Sequence, residues 1–240
     1  MVIQAALNGS TSRALHPAVP LTSSELATAA RAAKDAGASL IHIHPRDTYG
    51  AQTLDAAYVL PAVSAVRDAT GLPVGVTSGI WAVNGEPGRR LELVKHWAGP
   101  NRPDYVTINL NEPGIEALAD LAFSLDIGIE AGVWTGDDAR LLGEYAFRDR
   151  ILRVLVEPVD RNPADAVATA LEASEELDRL GITAPQFHHG YGMATWDVMK
   201  AATGRGFHLR VGLEDTTVLP DGTPAPANAD LVAAVVSLFN

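Results

Sequence analysis

The feature that most constrains the fold is a change of hydrophobic period that recurs along the whole chain. Short β-like apolar runs give way to longer stretches with helical spacing, and the exchange happens eight times. The runs that read as strands are Val2 to Leu7, Leu40 to His44, Pro73 to Thr77, Tyr105 to Leu110, Gly128 to Trp134, Leu152 to Glu157, Gln186 to His189 and Leu209 to Leu213. The helical segments are Ser23 to Ala36, Leu54 to Ala69, Leu91 to Ala98, Ile115 to Leu125, Asp137 to Ala146, Pro163 to Leu180, Ala194 to Ala202 and Ala229 to Phe239. Punctuation agrees with the periodicity: Thr22, Ser23 or Ser24 can cap the first helix, Asn162 precedes a proline at a first helical position, and Gly37 and Gly181 fall where helices end. Eight units in 240 residues average 30 residues each, which suits a closed (β/α)8 TIM barrel, typically about 250 residues long. An open doubly wound sheet that bound a dinucleotide would carry G-x-G-x-x-G after its first strand, and this chain has none there. The expected fold is therefore α/β, one (β/α)8 barrel domain over residues 1–240.

Composition narrows the chemistry. Lys and Arg number 18 against 29 Asp and Glu, a formal charge of −11, and no basic patch interrupts it. Such a field repels phosphate backbones and anionic bilayers, so neither nucleic acid nor a membrane is an expected partner. Met1 to Gly9 lacks the basic start and long apolar stretch of a signal peptide, and no apolar run nears the roughly 20 residues of a membrane span; a cytoplasmic location is expected. With no cysteine, disulfides, thiolate metal sites and cysteine nucleophiles are excluded, and any metal must be held by His and carboxylates.

In a (β/α)8 barrel the reactive groups lie at the C-terminal ends of the strands. The second strand ends in Ile-His-Ile-His-Pro-Arg-Asp, with His42 and His44 two residues apart and so on one face. Two neutral imidazoles side by side suit zinc or another divalent transition metal; packing inside the barrel is the plainer alternative. The eighth strand ends in Arg210-Val-Gly-Leu-Glu214-Asp215, and barrel closure brings it near the second, so Glu214 can complete a His2Glu set with open coordination positions. Glu130, among glycines and apolar residues in the fifth strand, is either an acid/base or substrate-binding group or half of an internal ion pair with Arg46 or Arg210. Ser78, Thr107 and Asn109, at the ends of the third and fourth strands, offer donors for a carboxylate or carbonyl. The adjacent His188 and His189 of the seventh strand must point to opposite faces, so at most one reaches the barrel mouth, while Gly190 and Gly192 after them are a weak phosphate signal. His16, His96 and His208 have no neighbour in sequence with which to act.

Taken together, several segments resemble a known family. They are Asn8-Gly9, the Pro20 to Leu26 entry to the first helix, Ala36 to Ala38, His-x-His-x-Arg-Asp at His42 to Asp47, Gly-Leu-Glu-Asp at Gly212 to Asp215 and Asn228 to Val232. This set, spread over nearly the whole chain, resembles the β-keto acid cleavage enzymes. The resemblance implies a zinc-dependent barrel, an oligomer such as a dimer or tetramer, that transfers an acetyl group from acetyl-CoA to a β-keto acid fragment. Its products would be acetoacetate and a new CoA thioester. It also implies His42, His44 and Glu214 as zinc ligands, Asp215 with Arg210 and Glu130 as catalytic groups, and Ser78, Thr107 and Asn109 as substrate-binding groups. Two other readings remain open on the residues alone: a metal-dependent aldolase or lyase that forms an enolate without CoA, and a metal-dependent binding barrel without turnover.

Overall fold

Each short apolar run does become a strand, and each is followed by a helix. The structure, a computed structural model, describes residues 1–239. The strands are β1 (Ile3–Ala6), β2 (Leu40–Ile43), β3 (Val74–Thr77), β4 (Tyr105–Asn109), β5 (Gly128–Val133), β6 (Arg153–Val156), β7 (Gln186–His188) and β8 (His208–Val211). The helices are α1 (Ser23–Asp35), α2 (Ala56–Thr70), α3 (Pro87–Val94), α4 (Ile115–Ser124), α5 (Gly136–Glu144), α6 (Pro163–Arg179), α7 (Ala194–Thr203) and α8 (Asn228–Phe239). Every strand pairs in parallel with the next, and β8 pairs with β1 through Gln4 opposite Arg210, which closes a single barrel. Among the described residues no helix is long and apolar enough to cross a membrane.

Caps set the helix starts. Thr22 accepts from the Glu25 backbone N–H while the Glu25 side chain reaches back, a full capping box, and Asn162 accepts from Ala164 and Asp165 ahead of Pro163. The main hydrophobic layer lies between strands and helices. Outward residues such as Ile41, Ile43, Val106 and Ile108 pack with buried faces such as Leu26, Ala30 and Ala33 of α1 and Val59, Val63 and Val66 of α2. The barrel interior is partly polar: Gln4, Tyr105, Glu130 and Arg153 are all buried there.

Several boundaries shift by one or two residues, as at the start of α2 and the end of α5, and two departures have a traceable cause. The third helix begins at Pro87 and ends at Val94 rather than spanning Leu91 to Ala98, because proline is favoured in a first helical turn and the chain then tightens until the Trp97 indole reaches the Leu54 carbonyl at 2.8 Å. The eighth strand stops at Val211, two residues short of Leu213. There the Asp215 and Thr216 N–H groups both turn back to the Gly212 carbonyl, at 2.9 and 3.0 Å. Gly212 can occupy this corner because a Cβ on it would stand only 1.8 Å from the Ala6 carbonyl oxygen.

Candidate active site

The turn after β8 folds Glu214 and Asp215 back over the barrel mouth, where they meet β2. His42 Nε2 and His44 Nε2 lie 3.1 Å apart, His44 Nε2 is 3.2 Å from Glu214 Oε1, and His42 Nε2 is 3.8 Å from Glu214 Oε2. One ligand atom from each of the three residues lies within 4.8 Å of the others. Asn8 and Gly9 explain how they are held. The Asn8 amide donates to the His44 carbonyl at 2.9 Å and accepts from its N–H at 2.8 Å, which clamps the end of β2. Gly9, at φ 45°, leaves the space a Cβ would take from Glu214 Cγ, only 2.2 Å away.

Both imidazoles are oriented through their other nitrogen. His44 Nδ1 meets Gln52 Oε1 at 2.6 Å, and since an amide oxygen only accepts, the Nδ1–H donates and Nε2 keeps its lone pair. His42 Nδ1 is 3.4 Å from Thr107 Oγ1, whose hydroxyl donates to Glu130 Oε1 at 2.8 Å. Glu130 in turn receives the Gln4 amide at 2.8 Å and an ion pair from Arg153 at 3.0 Å. The internal ion pair considered for Glu130 is thus made with Arg153, the residue opposite it on β6, and not with Arg46 or Arg210.

The electrostatics suit a cation. Burial holds His42 well below its ordinary value, against the pull of Glu214, so it stays neutral. Burial alone would raise Glu214, but the Arg210 guanidinium leads the neighbours that outweigh it and keeps the group ionised well below the usual carboxylate range. Yet Glu214 Oε2 is buried with no hydrogen-bond partner, which is costly for a carboxylate oxygen unless something positive completes it. Two lone pairs and an orphaned carboxylate oxygen converging on one spot fit a divalent metal with nitrogen and oxygen ligands.

Beside the triad, Arg210 pairs with Glu214 and reaches Asp215 Oδ1 at 2.9 Å. Burial opposes the guanidinium charge, but Asp215 and Glu214 outweigh it and raise Arg210 well above its ordinary value. Asp215, wholly buried, is raised above the usual aspartate value by desolvation despite Arg210 and His189. Its Oδ1 lies 3.3 Å from His189 Nδ1, and His189 Nε2 lies 3.2 Å from Glu157 Oε2. Of the two adjacent histidines, His189 therefore faces inward, while His188 stacks outward on Phe207 and meets Gln186 at 3.1 Å.

A cavity of about 240 Å3 opens onto these groups. His42, His44, Glu214 and Arg210 form one side, Thr77 and Thr107 the flank, and Asn109, Trp134 and Glu157 the far side. Trp81 also lines the cavity, its indole donating to Gln52 at 2.9 Å. Ser78 does not line the cavity: it is buried, with its hydroxyl on the Thr107 carbonyl at 2.6 Å. Glu130 and Asp215 also lie behind the lining, each separated from it by the residue it touches. Gln52, Trp81, Trp134, Glu157 and Tyr191 escaped the sequence reading, since nothing in their local pattern distinguishes them from other loop or strand-end residues.

Residues 1–126 and 161–240 match the sequence profile of the beta-keto acid cleavage enzymes. The chain belongs to this family. Curated relatives include the 3-keto-5-aminohexanoate cleavage enzyme of Fusobacterium nucleatum, 27% identical over 99% of this chain and 90% of the relative, and the 3-oxoadipate:acetyl-CoA acetyltransferase of Cupriavidus necator, 28% identical over 99% and 87%. Among solved structures, ObcA in complex with oxaloacetate superposes with a TM-score of 0.75 at 16% identity, covering 92% of this chain but 63% of ObcA. The chain thus spans less than two thirds of ObcA. The 3-dehydroquinate dehydratase of Geobacillus kaustophilus superposes with a TM-score of 0.65 at 15% identity, over 100% of this chain and 92% of its own. These two likenesses concern the fold. Between the two matched stretches, residues 127–160 fall outside the family profile, and they comprise β5, α5 and β6 with Glu130, Trp134 and Glu157.

Proposed function

We propose that this β-keto acid cleavage enzyme family member is a zinc-dependent acyltransferase that cleaves a β-keto acid with acetyl-CoA, yielding acetoacetate and a CoA thioester. The family membership and the acetyltransferase named among the relatives support the reaction class. The observation that carries the metal is the orphaned Glu214 Oε2 facing His42 and His44 at the cavity wall. A divalent metal held by His42, His44 and Glu214 supplies Lewis acidity toward a substrate carbonyl; another transition metal with the same ligand preferences is the alternative to zinc.

The chain's own groups do the rest. Asp215, raised by burial and seated just behind Arg210 of the lining, is the base that receives the α-proton of the keto acid through a bridging water and later returns it. Arg210 fixes its two oxygens, and His189 bears on it from the other side. Thr107 and Glu130 hold the His42 ring in place, and Thr107 and Asn109, both at the cavity surface, bind the substrate. Ser78 contributes by fixing the Thr107 backbone. Trp81 and Trp134 supply apolar surface to the cleft. The same reading takes the protein as a cytoplasmic homo-oligomer on the family resemblance, acting on small molecules rather than on nucleic acid or membranes, in keeping with the net charge of −11.

Zinc-loaded protein incubated with acetyl-CoA and chemically varied β-keto acids is expected to release acetoacetate. Absence of acetoacetate from every acid overturns the proposal. Asp215→Asn is expected to keep its zinc and lose about 100-fold or more in kcat; near-full turnover removes Asp215 as the base.

A further inference from the structure

We infer that the far wall of the cavity, built by β4, β5 and β6, selects a β-keto acid whose distal end carries a hydrogen-bond donor, an ammonium or a hydroxyl group, and rejects one that ends in a carboxylate. The inference rests on the β-keto acid reading of the site and names the substrate class that this chain takes.

The wall stands across the barrel from His42, His44 and Glu214, because β4 to β6 lie opposite β8, β1 and β2 in the closed strand order. Its two polar lining groups are Asn109 and Glu157. The orientation of the Asn109 amide is settled by its neighbour: Nδ2 donates to Glu112 Oε1 at 2.7 Å, and Glu112 is itself fixed by Arg90 and by the Ile80 N–H at 3.0 Å. A carboxylate accepts only, so the amide nitrogen faces Glu112 and Oδ1 is left toward the cavity.

Glu157 is held from two sides, by the Trp134 indole N–H on Oε1 at 3.0 Å and by His189 Nε2 at 3.2 Å from Oε2. Each carboxylate oxygen has a second lone pair, and no cation of the lining is free to fill it: Arg210 is engaged by Glu214 and Asp215. Gly132 makes the two groups one surface. A Cβ there would stand 2.8 Å from both Asn109 Oδ1 and Glu157 Oε1, so the missing side chain lets both oxygens close over the same spot. The Tyr191 hydroxyl, which burial and the Glu157 charge keep protonated, can donate or accept and leaves this acceptor pair intact.

The wall is therefore acceptor-rich and buried. A donor satisfies it, a methyl group leaves two buried acceptors unpaired, and a carboxylate sets like charges together in a dry pocket. Gly132, Trp134 and Glu157 lie in residues 127–160, outside the family profile, whereas Asn109 lies within it.

The test uses four β-keto acids of equal length that end in an ammonium, a hydroxyl, a methyl and a carboxylate group. Zinc-loaded protein with acetyl-CoA is assayed for kcat/KM, and each acid is titrated calorimetrically without acetyl-CoA. The ammonium or hydroxyl acid is expected to exceed the methyl and carboxylate acids by about 100-fold or more; a methyl or carboxylate acid that matches or exceeds them overturns the inference. Glu157→Gln, which keeps the volume and removes the charge, is expected to lower the ammonium-to-carboxylate preference at least about tenfold; an unchanged preference also overturns it. Should Glu157→Gln fail to fold, the wild-type panel still decides. If no acid yields a CoA thioester, the acyltransferase reading fails, and calorimetric preference for the donor-bearing acids decides the wall separately.

Discussion

Single residues acquire their meaning from what they leave empty as much as from what they touch. Asn8 clamps the backbone of His44 and Gly9 vacates the space that Glu214 fills, so an Asn-Gly pair far from either ligand in sequence is part of their geometry. His42 and His44 were legible because strand alternation puts residues two apart on one face. His189 and Glu157 were not, because their partners come from different strands and no local spacing records a contact of β6 with β7. His188 shows the opposite fate for a histidine: burial, with repulsion from His189 and Arg205, brings it down to about 3. Above its ordinary value near 6.5 both folded and unfolded states hold it neutral and its contribution is intact. As pH falls from there toward 3 the unfolded chain takes up a proton that the folded chain refuses, so stability drops, by on the order of a few kcal/mol over the window. Urea denaturation across that range is expected to show the decline in the wild type and a flatter one in His188→Gln; equal slopes would assign the acid sensitivity elsewhere.

At the scale of elements, several boundaries with a local signal were legible, whereas the start of α3 at Pro87, which has no side-chain cap, was missed. Thr22, Asn162 and Pro163 are side-chain or ring signals that act within one turn, and the structure places helix starts at them. The end of β8 was not marked, because Gly212 turns the chain only through its close approach to Ala6 of β1. The capping box of α5 reaches into the site. Thr135 accepts from the Asp138 N–H, and Asp138 accepts in return from the Trp134 and Thr135 N–H groups at 2.9 and 3.0 Å. Thr135→Ala is expected to cost about 1 kcal/mol in denaturant unfolding and to raise KM for the keto acid with zinc affinity unchanged, since Trp134 loses part of its anchor. A variant with wild-type stability and KM would show that the box supports neither.

At the scale of the whole molecule, closure of the sheet brings residues 42, 44 and 214 together, and a metal held there, as proposed, would tie β2 to the turn after β8. Zinc at about 100 times its dissociation constant is expected to add about 2.7 kcal/mol, which for a chain of this length raises Tm by roughly 5 to 10 °C. A chelator should reverse the shift, and the double variant His42→Ala, His44→Ala should lack it; an equal shift in that variant would place the metal elsewhere.

The periodicity determined eight βα units, since apolar spacing decides which face each segment must bury, and the length and the missing G-x-G-x-x-G then favoured a barrel over an open sheet. The local pattern likewise presented the two histidines and the carboxylates as candidates. Only the tertiary structure decided their company: that Glu214 keeps an unpartnered oxygen, that Glu130 pairs with Arg153, and that Asn109 and Glu157 meet over Gly132. Such contacts join strands distant in sequence, where register, turn geometry and the absence of a side chain set distances that one-dimensional spacing does not carry.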